Sequence, residues 1–209
     1  MNRAIKNTQV ILIGGSSHVG KSTLGKYLAR KLNGDYLATD SLAKHPGRPW
    51  TENGRAVREH VAEHYRTLST KALLEDVLFH YQQNVLPQIA TMIHDYRLAS
   101  SNNCLVIEGS ALYPALVKNI VSQSGVKAVW LVANEQLLKN RIYNQSNFVN
   151  LDRGSQQLVQ KFLNRTLLYQ EYMRDELERL QFCHINLESD ITLEELSQKL
   201  LKLLRFLVD

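Results

Sequence analysis

Residues 15–22 read Gly-Ser-Ser-His-Val-Gly-Lys-Ser and satisfy the spacing G-x-x-x-x-G-K-[ST]. Glycines at these places let the backbone turn tightly, so that successive N–H groups point at one anion. The lysine after the second glycine reaches terminal phosphates, and the next hydroxyl is suited to Mg²⁺. The expected nucleotide-binding residues are therefore Gly15, Ser16, Ser17, His18, Val19, Gly20, Lys21, Ser22 and Thr23. Lys21 is the expected charge-neutralising residue and Ser22 the metal ligand. His18 occupies a variable position of the spacing.

Two acidic residues follow strand-like runs. Thr39-Asp40-Ser41 places Asp40 where a carboxylate can take the proton of an attacking hydroxyl. Its alternative role is to cap the next helix. Glu108-Gly109-Ser110 offers a second carboxylate, able to hold Mg²⁺ through water or to touch a substrate, while Gly109 permits close backbone approach. The alternative for Glu108 is a capping acid before the helix near Pro114.

Arginines supply permanent, planar, bidentate positive charge, which suits a phosphoryl group in transfer. Arg141, Arg153 and Arg165 flank the polar stretch Tyr143–Gly154, and Arg141 and Arg153 stand at its boundaries. Arg48 and Arg55 lie near Trp50, His60 and His64, and are the natural anchors for a carboxylate or phosphate on a second substrate. The alternative for these arginines is a solvated surface. The remaining histidines show no Ser/His/Asp or metal-ligand spacing.

These residues need elements to position them. Short apolar runs at 9–13, 35–39, 104–107, 126–132 and 182–187 read as strands, separated by helical patterns. That alternation predicts a three-layer α/β/α fold around a five-stranded parallel sheet, with the ligand edge at the strand C-termini. The run Val10–Ile13 precedes the glycine loop, and Leu24, Leu28 and Leu32 follow on one helical face. Residues 1–209 read as a single domain. Residues 41–101 form a long helical insert that begins His45-Pro46-Gly47-Arg48-Pro49-Trp50. Its second pattern, 70–98, carries the stripe Leu74, Val77, Leu78, Tyr81, Val85, Ile89, Ile93 and Tyr96, which Pro87 should kink or split. Residues 141–154, between a helix at 134–142 and a long one at 155–180, are expected to form a lid.

Composition narrows the classes. The chain has 209 residues, 22% charged and 44% hydrophobic, which suits a soluble enzyme. No apolar run approaches a membrane span, and the first residues lack a secretion signal, so a cytoplasmic location is expected. The net charge of +5 fits an anion-handling site. No long basic tract points to nucleic acid. Cys104 and Cys183 lack CxxC spacing and read as reduced core thiols. Nothing in the pattern specifies an oligomeric state.

The segments GGSSHVGKST, YLATDSL and LVIEGSALYP together resemble small-molecule kinases of the phosphate-loop NTPase superfamily, within the nucleoside-monophosphate-kinase-like group. The trio resembles 2-phosphoglycerate kinases, which also have Thr-Asp-Ser after the second strand and Glu-Gly after the third. It is similar, too, to chloramphenicol phosphotransferases and zeta-type toxins, where an Asp after the second strand activates the acceptor hydroxyl. The resemblance implies that Asp40 acts on an acceptor. The chain departs from the group at its His-Pro-Gly-Arg-Pro-Trp run and lacks the Asp-Gly-x-Pro-Arg run of nucleoside monophosphate kinases.

The resulting expectation is an ATP- and Mg²⁺-dependent phosphotransferase acting on a small metabolite. Lys21, Asp40, Arg141 and Arg153 are the catalytic candidates. Asp40, Arg48, Arg55, Glu108 and Gly109 are the acceptor-side candidates, and Ser22 and Glu108 are the metal candidates. No base-reading motif separates ATP from GTP. The alternatives are a nucleoside monophosphate kinase and a nucleotide-binding switch with little turnover.

Overall fold

Every residue of β1 (Val10–Gly15) is buried. A strand apolar on both faces belongs at the centre of a parallel sheet covered on both sides, and the computed structural model places it there. The structure describes residues 9–51, 57–99, 103–188 and 191–206. The other strands are β2 (Asp35–Ala38), β3 (Leu105–Glu108), β4 (Val126–Ala133) and β5 (His184–Leu187). Their order is β2-β3-β1-β4-β5, and each neighbouring pair is parallel. The register Ile13↔Glu108 and Ala38↔Glu108 brings the end of β3 level with the phosphate loop and the Thr39–Ser41 turn.

Two cores follow from the period-2 alternation of the strands. Val10, Leu12 and Ile107 face one layer, where they meet Ile89, Ile93, Val117 and Met173. Ile11, Ile13 and Val106 face the other, against Leu24, Leu28, Leu196 and Leu200. The covering helices are therefore α1 (Lys21–Leu32) and α8 (Leu193–Phe206) on one side. On the other they are α4 (Leu86–Leu98), α5 (Pro114–Val121) and the long α7 (Arg153–Arg179).

The long connection after β2 contains α2 (Glu59–Thr67) and α3 (Thr70–His80), followed by α4. Pro87 lies in the first turn of α4, where its missing N–H costs nothing. The preceding residues, Tyr81–Val85, widen into one π-helical turn. The expected 70–98 helix is thus split as its proline requires. Its stripe residues Leu74, Val77, Val85, Ile89 and Ile93 join the core of the sheet itself. Leu73, by contrast, joins Trp50, Val61 and Tyr65 in a third cluster with Ile142, Leu158 and Phe162. This cluster ties α2 and α3 to α7 and to α6 (Glu135–Ser146).

The polar stretch Tyr143–Gly154 is more ordered than its composition implies. α6 runs through Ser146 and ends on Asn147 in the left-handed region, at φ 54°. A 3₁₀ turn, Phe148–Asn150, follows, and the Asp152 carboxylate caps α7 by accepting from the Ser155 N–H at 3.0 Å. The Tyr143 and Phe148 rings stack at 3.9 Å. β5 begins at His184 rather than 182, because the Phe182 N–H is spent closing α7 on the Leu177 carbonyl at 2.9 Å. Among the described residues, no helix is long and apolar enough to cross a membrane.

Candidate active site

The phosphate loop leaves β1 at Gly15 and enters α1 through Gly20, which sits at φ 94°. That conformation is strained for any residue with a Cβ. No side chain caps α1, so its first N–H groups face the loop's concavity, where the helix dipole favours an anion. Lys21 is buried. Its ammonium donates to the Ser16 carbonyl at 2.7 Å and to the Ser110 hydroxyl at 3.3 Å. Burial pushes its pKa below the ordinary lysine value, with Arg48 adding to that, while Glu108 and Asp40 oppose it.

The loop is braced from α7. The amide oxygen of Gln170 accepts from the Ser16 hydroxyl at 3.2 Å and from the Ala133 N–H at 3.1 Å, and its NH₂ donates to the Ala133 carbonyl. Arg141 lies on α6 and donates to the His18 carbonyl at 3.0 Å. Its guanidinium is therefore already at the loop. Arg153 is exposed in the first turn of α7 and is not among the cavity-lining residues. The structure brings Arg141 to the loop.

Glu108 is buried at the end of β3 and accepts from the Tyr36 hydroxyl at 2.8 Å. Ser22 lies close enough to this phenol to act on its pKa, in the lowering direction. Burial, then Glu108, raises the pKa of this phenol above its ordinary value, so it stays a donor. Ser22, Tyr36 and Glu108 thus bring three side-chain oxygens near one another beside Lys21. A hydroxyl and a carboxylate fit a hard, oxygen-seeking cation such as Mg²⁺. The N-cap of α5 is Tyr113, so Glu108 does not cap that helix. Gly109 sits at φ 153°, and a Cβ there would collide with the Thr39 side chain. The glycine is thus needed for the close approach of β3 to the Thr39–Ser41 turn.

Asp40 is exposed inside that 3₁₀ turn and lines a cavity of ≈ 820 Å³. The turn's N-cap is Ala38, with no side-chain cap, so Asp40 is not the expected capping residue. The cavity opens from the phosphate loop at Ser17 and Ser110 and runs past Arg48, Arg58, His60 and Trp50. Arg55 lies outside the described residues.

Its far wall is α7. Phe162, Arg165, Thr166 and Tyr169 recur at helical spacing along one face and all line the cavity. Arg165 is buried, with its guanidinium carbon 4.7 Å from the Phe162 ring centroid. One of its terminal nitrogens, Nη1, is buried and makes no hydrogen bond. Tyr169 donates to the Ser110 carbonyl at 2.6 Å. Burial raises the pKa values of Tyr81 and Tyr169 above the ordinary range, which keeps both phenols neutral.

Sequence reasoning missed Tyr36 and Gln170 and ranked Arg165 below Arg141 and Arg153. The i, i+3, i+4, i+7 run of Phe162, Arg165, Thr166 and Tyr169 is the signal that marks Arg165. It also missed a convergence of His45, His64 and Asp76, whose ligand atoms lie within 4.8 Å of one another.

No protein-family model matches the sequence, and no curated protein matches it by sequence search. Solved structures do match in shape. A gluconokinase from Sinorhizobium meliloti 1021 superposes with a TM-score of 0.58 at 18% identity, covering 97% of this chain and 95% of that one. A thymidylate kinase from Candida albicans superposes with a TM-score of 0.51 at 14% identity, covering 96% and 92%. The chain shares its fold with these two kinases. At such identities the likeness concerns architecture, and the chemistry rests on the residues.

Proposed function

We propose that this chain is an ATP- and Mg²⁺-dependent phosphotransferase that moves the γ-phosphoryl group onto a hydroxyl of a small, anionic metabolite. One observation carries the reading: the phosphate loop and the cavity share a boundary at Ser17 and Ser110, and Asp40 stands on that cavity wall. A nucleotide's terminal phosphate and an acceptor's hydroxyl can therefore meet beside a carboxylate.

The loop N–H groups and Lys21 hold the β- and γ-phosphates. Ser22 and Glu108, set by Tyr36, would hold Mg²⁺, which when bound neutralises phosphate charge. The acceptor oxygen attacks the γ-phosphorus and its proton passes to Asp40. The bond from phosphorus to the bridging β–γ oxygen breaks, and ADP leaves. Arg141, at the loop, offsets charge on the transferring group. Arg48 and Arg165 give the acceptor cavity positive charge, and an acceptor carrying a carboxylate or phosphate would complete the hydrogen bonding of Arg165. Residues 141–154, with Arg141 already at the loop, serve as the lid over the nucleotide.

The test is ADP release from Mg-ATP, alone and with phosphoglycerates, sugar acids, nucleosides or nucleoside monophosphates. Stimulation by a phosphoglycerate or sugar acid is expected. Stimulation by nucleoside monophosphates alone would replace the acceptor class. Tight ATP binding with no stimulation by any pool would overturn the reading in favour of a switch.

A further inference from the structure

The cavity rim holds a cluster that phosphoryl transfer does not use. His45 comes from the loop after β2, His64 from the last turns of α2 and Asp76 from the middle of α3. His45 Nε2 lies 3.1 Å from Asp76 Oδ2, and His64 Nε2 lies 3.6 Å from the same oxygen. The two imidazoles are 12% and 15% exposed, while the carboxylate is 46% exposed.

We propose that His45, His64 and Asp76 form a binding site for Zn²⁺ that pins the 42–51 loop to α2 and α3. Tetrahedral zinc with bonds of about 2.0–2.1 Å has ligand-to-ligand edges of roughly 3.3 Å. Both measured edges to Asp76 lie close to that length. Two imidazole nitrogens and one carboxylate favour zinc or a similar borderline ion over Mg²⁺ or Ca²⁺, which seek oxygen-only sites.

The competing account is an ordinary hydrogen bond between His45 and Asp76. It leaves His64 Nε2 buried with no hydrogen bond, and His80 Nε2 likewise. Each such group gives up its hydrogen bond to water without gaining a partner. Zinc at this point satisfies His64 directly. The His80 ring lies 5.1 Å from that of His45, and its Nδ1 is already paired with the Asn84 amide at 3.1 Å. The cost of binding is the long 3.5 Å contact from the Gly47 N–H to His45 Nδ1, which a protonated Nδ1 gives up.

Position explains the use of such an ion. The pinned loop carries Arg48 and Trp50, and both line the cavity. A metal joining the loop to two helices would hold Arg48 against the acceptor. The zinc site is independent of the nucleotide reading, since its three ligands lie apart from the phosphate loop.

The experiment uses the full chain, freed of metal and then dialysed against Zn²⁺ alone or Co²⁺ alone. One Zn²⁺ per chain is expected, with a rise in the unfolding midpoint and, for Co²⁺, the visible band of a tetrahedral site. His64→Ala and Asp76→Asn should each lower zinc affinity by more than ~100-fold, with far-UV circular dichroism showing that each is folded. His94→Ala, an exposed histidine on α4, should bind as the parent does. No zinc uptake by the parent, or equal uptake by a folded His64→Ala or Asp76→Asn variant, would overturn the proposal. ATP turnover does not enter this test, so failure of the kinase reading leaves it standing.

Discussion

Tyr36 donates its hydroxyl hydrogen to Glu108 at 2.8 Å, joining β2 to β3 at the edge where the phosphate loop opens. Glu108 is 3% exposed, so this bond answers a carboxylate that water scarcely reaches. Ser22 lies near the same hydroxyl. One phenol therefore orients the Glu108 carboxylate and neighbours Ser22, the two groups to which the Mg²⁺ role is assigned. Tyr36→Phe should lower stability by about 1–3 kcal/mol, the cost of an unpaired buried group. It should also raise the Mg²⁺ concentration needed for half-maximal ADP release. Urea unfolding and a Mg²⁺ titration read the two effects. No change in either would show that Glu108 needs no partner.

Asp40 and Lys21 separate chemistry from binding. Asp40 is exposed on the cavity wall and contributes no cap, so Asp40→Asn should leave ATP affinity nearly unchanged. Acceptor phosphorylation should fall by roughly 10²–10⁴-fold, the range for a lost general base. Lys21→Ala should weaken both ATP binding and turnover, because that ammonium sits inside the loop. Calorimetry with ATP and single-turnover transfer check the pair. Undiminished transfer by Asp40→Asn would remove the base assignment.

Arg165 offers a sharper contrast. Its charge is buried against Phe162, and its Nη1 makes no hydrogen bond. Removing a buried and incompletely paired charge is often neutral or stabilising. Arg165→Leu should therefore keep or raise the unfolding midpoint, yet increase the acceptor KM by roughly 10–100-fold, the equivalent of one charge-assisted hydrogen bond. The KM for ATP should not move. A fall in stability with an unchanged acceptor KM would make Arg165 a packing residue instead.

The legible parts of this molecule are the local ones. The glycine spacing, the apolar run of β1 and the leucines of α1 are contiguous, so the strand, loop and helix of the candidate site could be read directly. Asp40 and Glu108 were legible because each directly follows an apolar strand. Arg165 was ranked too low because it meets Asp40's cavity only through the packing of α7 across the sheet. Arg153, exposed in the first turn of α7, makes no contact among the described residues that would mark it as Arg141 is marked by its bond to the His18 carbonyl. The His45, His64 and Asp76 cluster needs three elements in register, and their separations match no linear metal motif. Pro87 announced a break but not its form, since a π turn and a kink share the same cue.

His18 supplies a pH signature. It sits in the loop at φ 66°, beside the Trp50 and Phe162 rings. Burial, then Arg48, with smaller contributions from Lys21 and Arg141, holds its pKa down at about 4, against an opposing influence of the nearby Gln145 amide. The unfolded chain has an ordinary histidine near 6.5. Between these values the unfolded state binds a proton that the folded state refuses, so stability falls as pH drops from about 6.5 to about 4. Above that window the contribution is complete and flat. The shift corresponds to at most about 3 kcal/mol. His18→Asn keeps a side chain that tolerates the left-handed region and removes the titration. In zinc-free buffer, the loss of stability between neutral pH and the lower end of the window should be smaller in His18→Asn by about 1–3 kcal/mol. His45, also held down at about 4 by burial, titrates in both proteins, so the difference between their urea midpoints isolates His18. Parallel acid limbs would mean that His18 meets water in the folded state, and that the loop is more open than its packing against Trp50 and Phe162 implies.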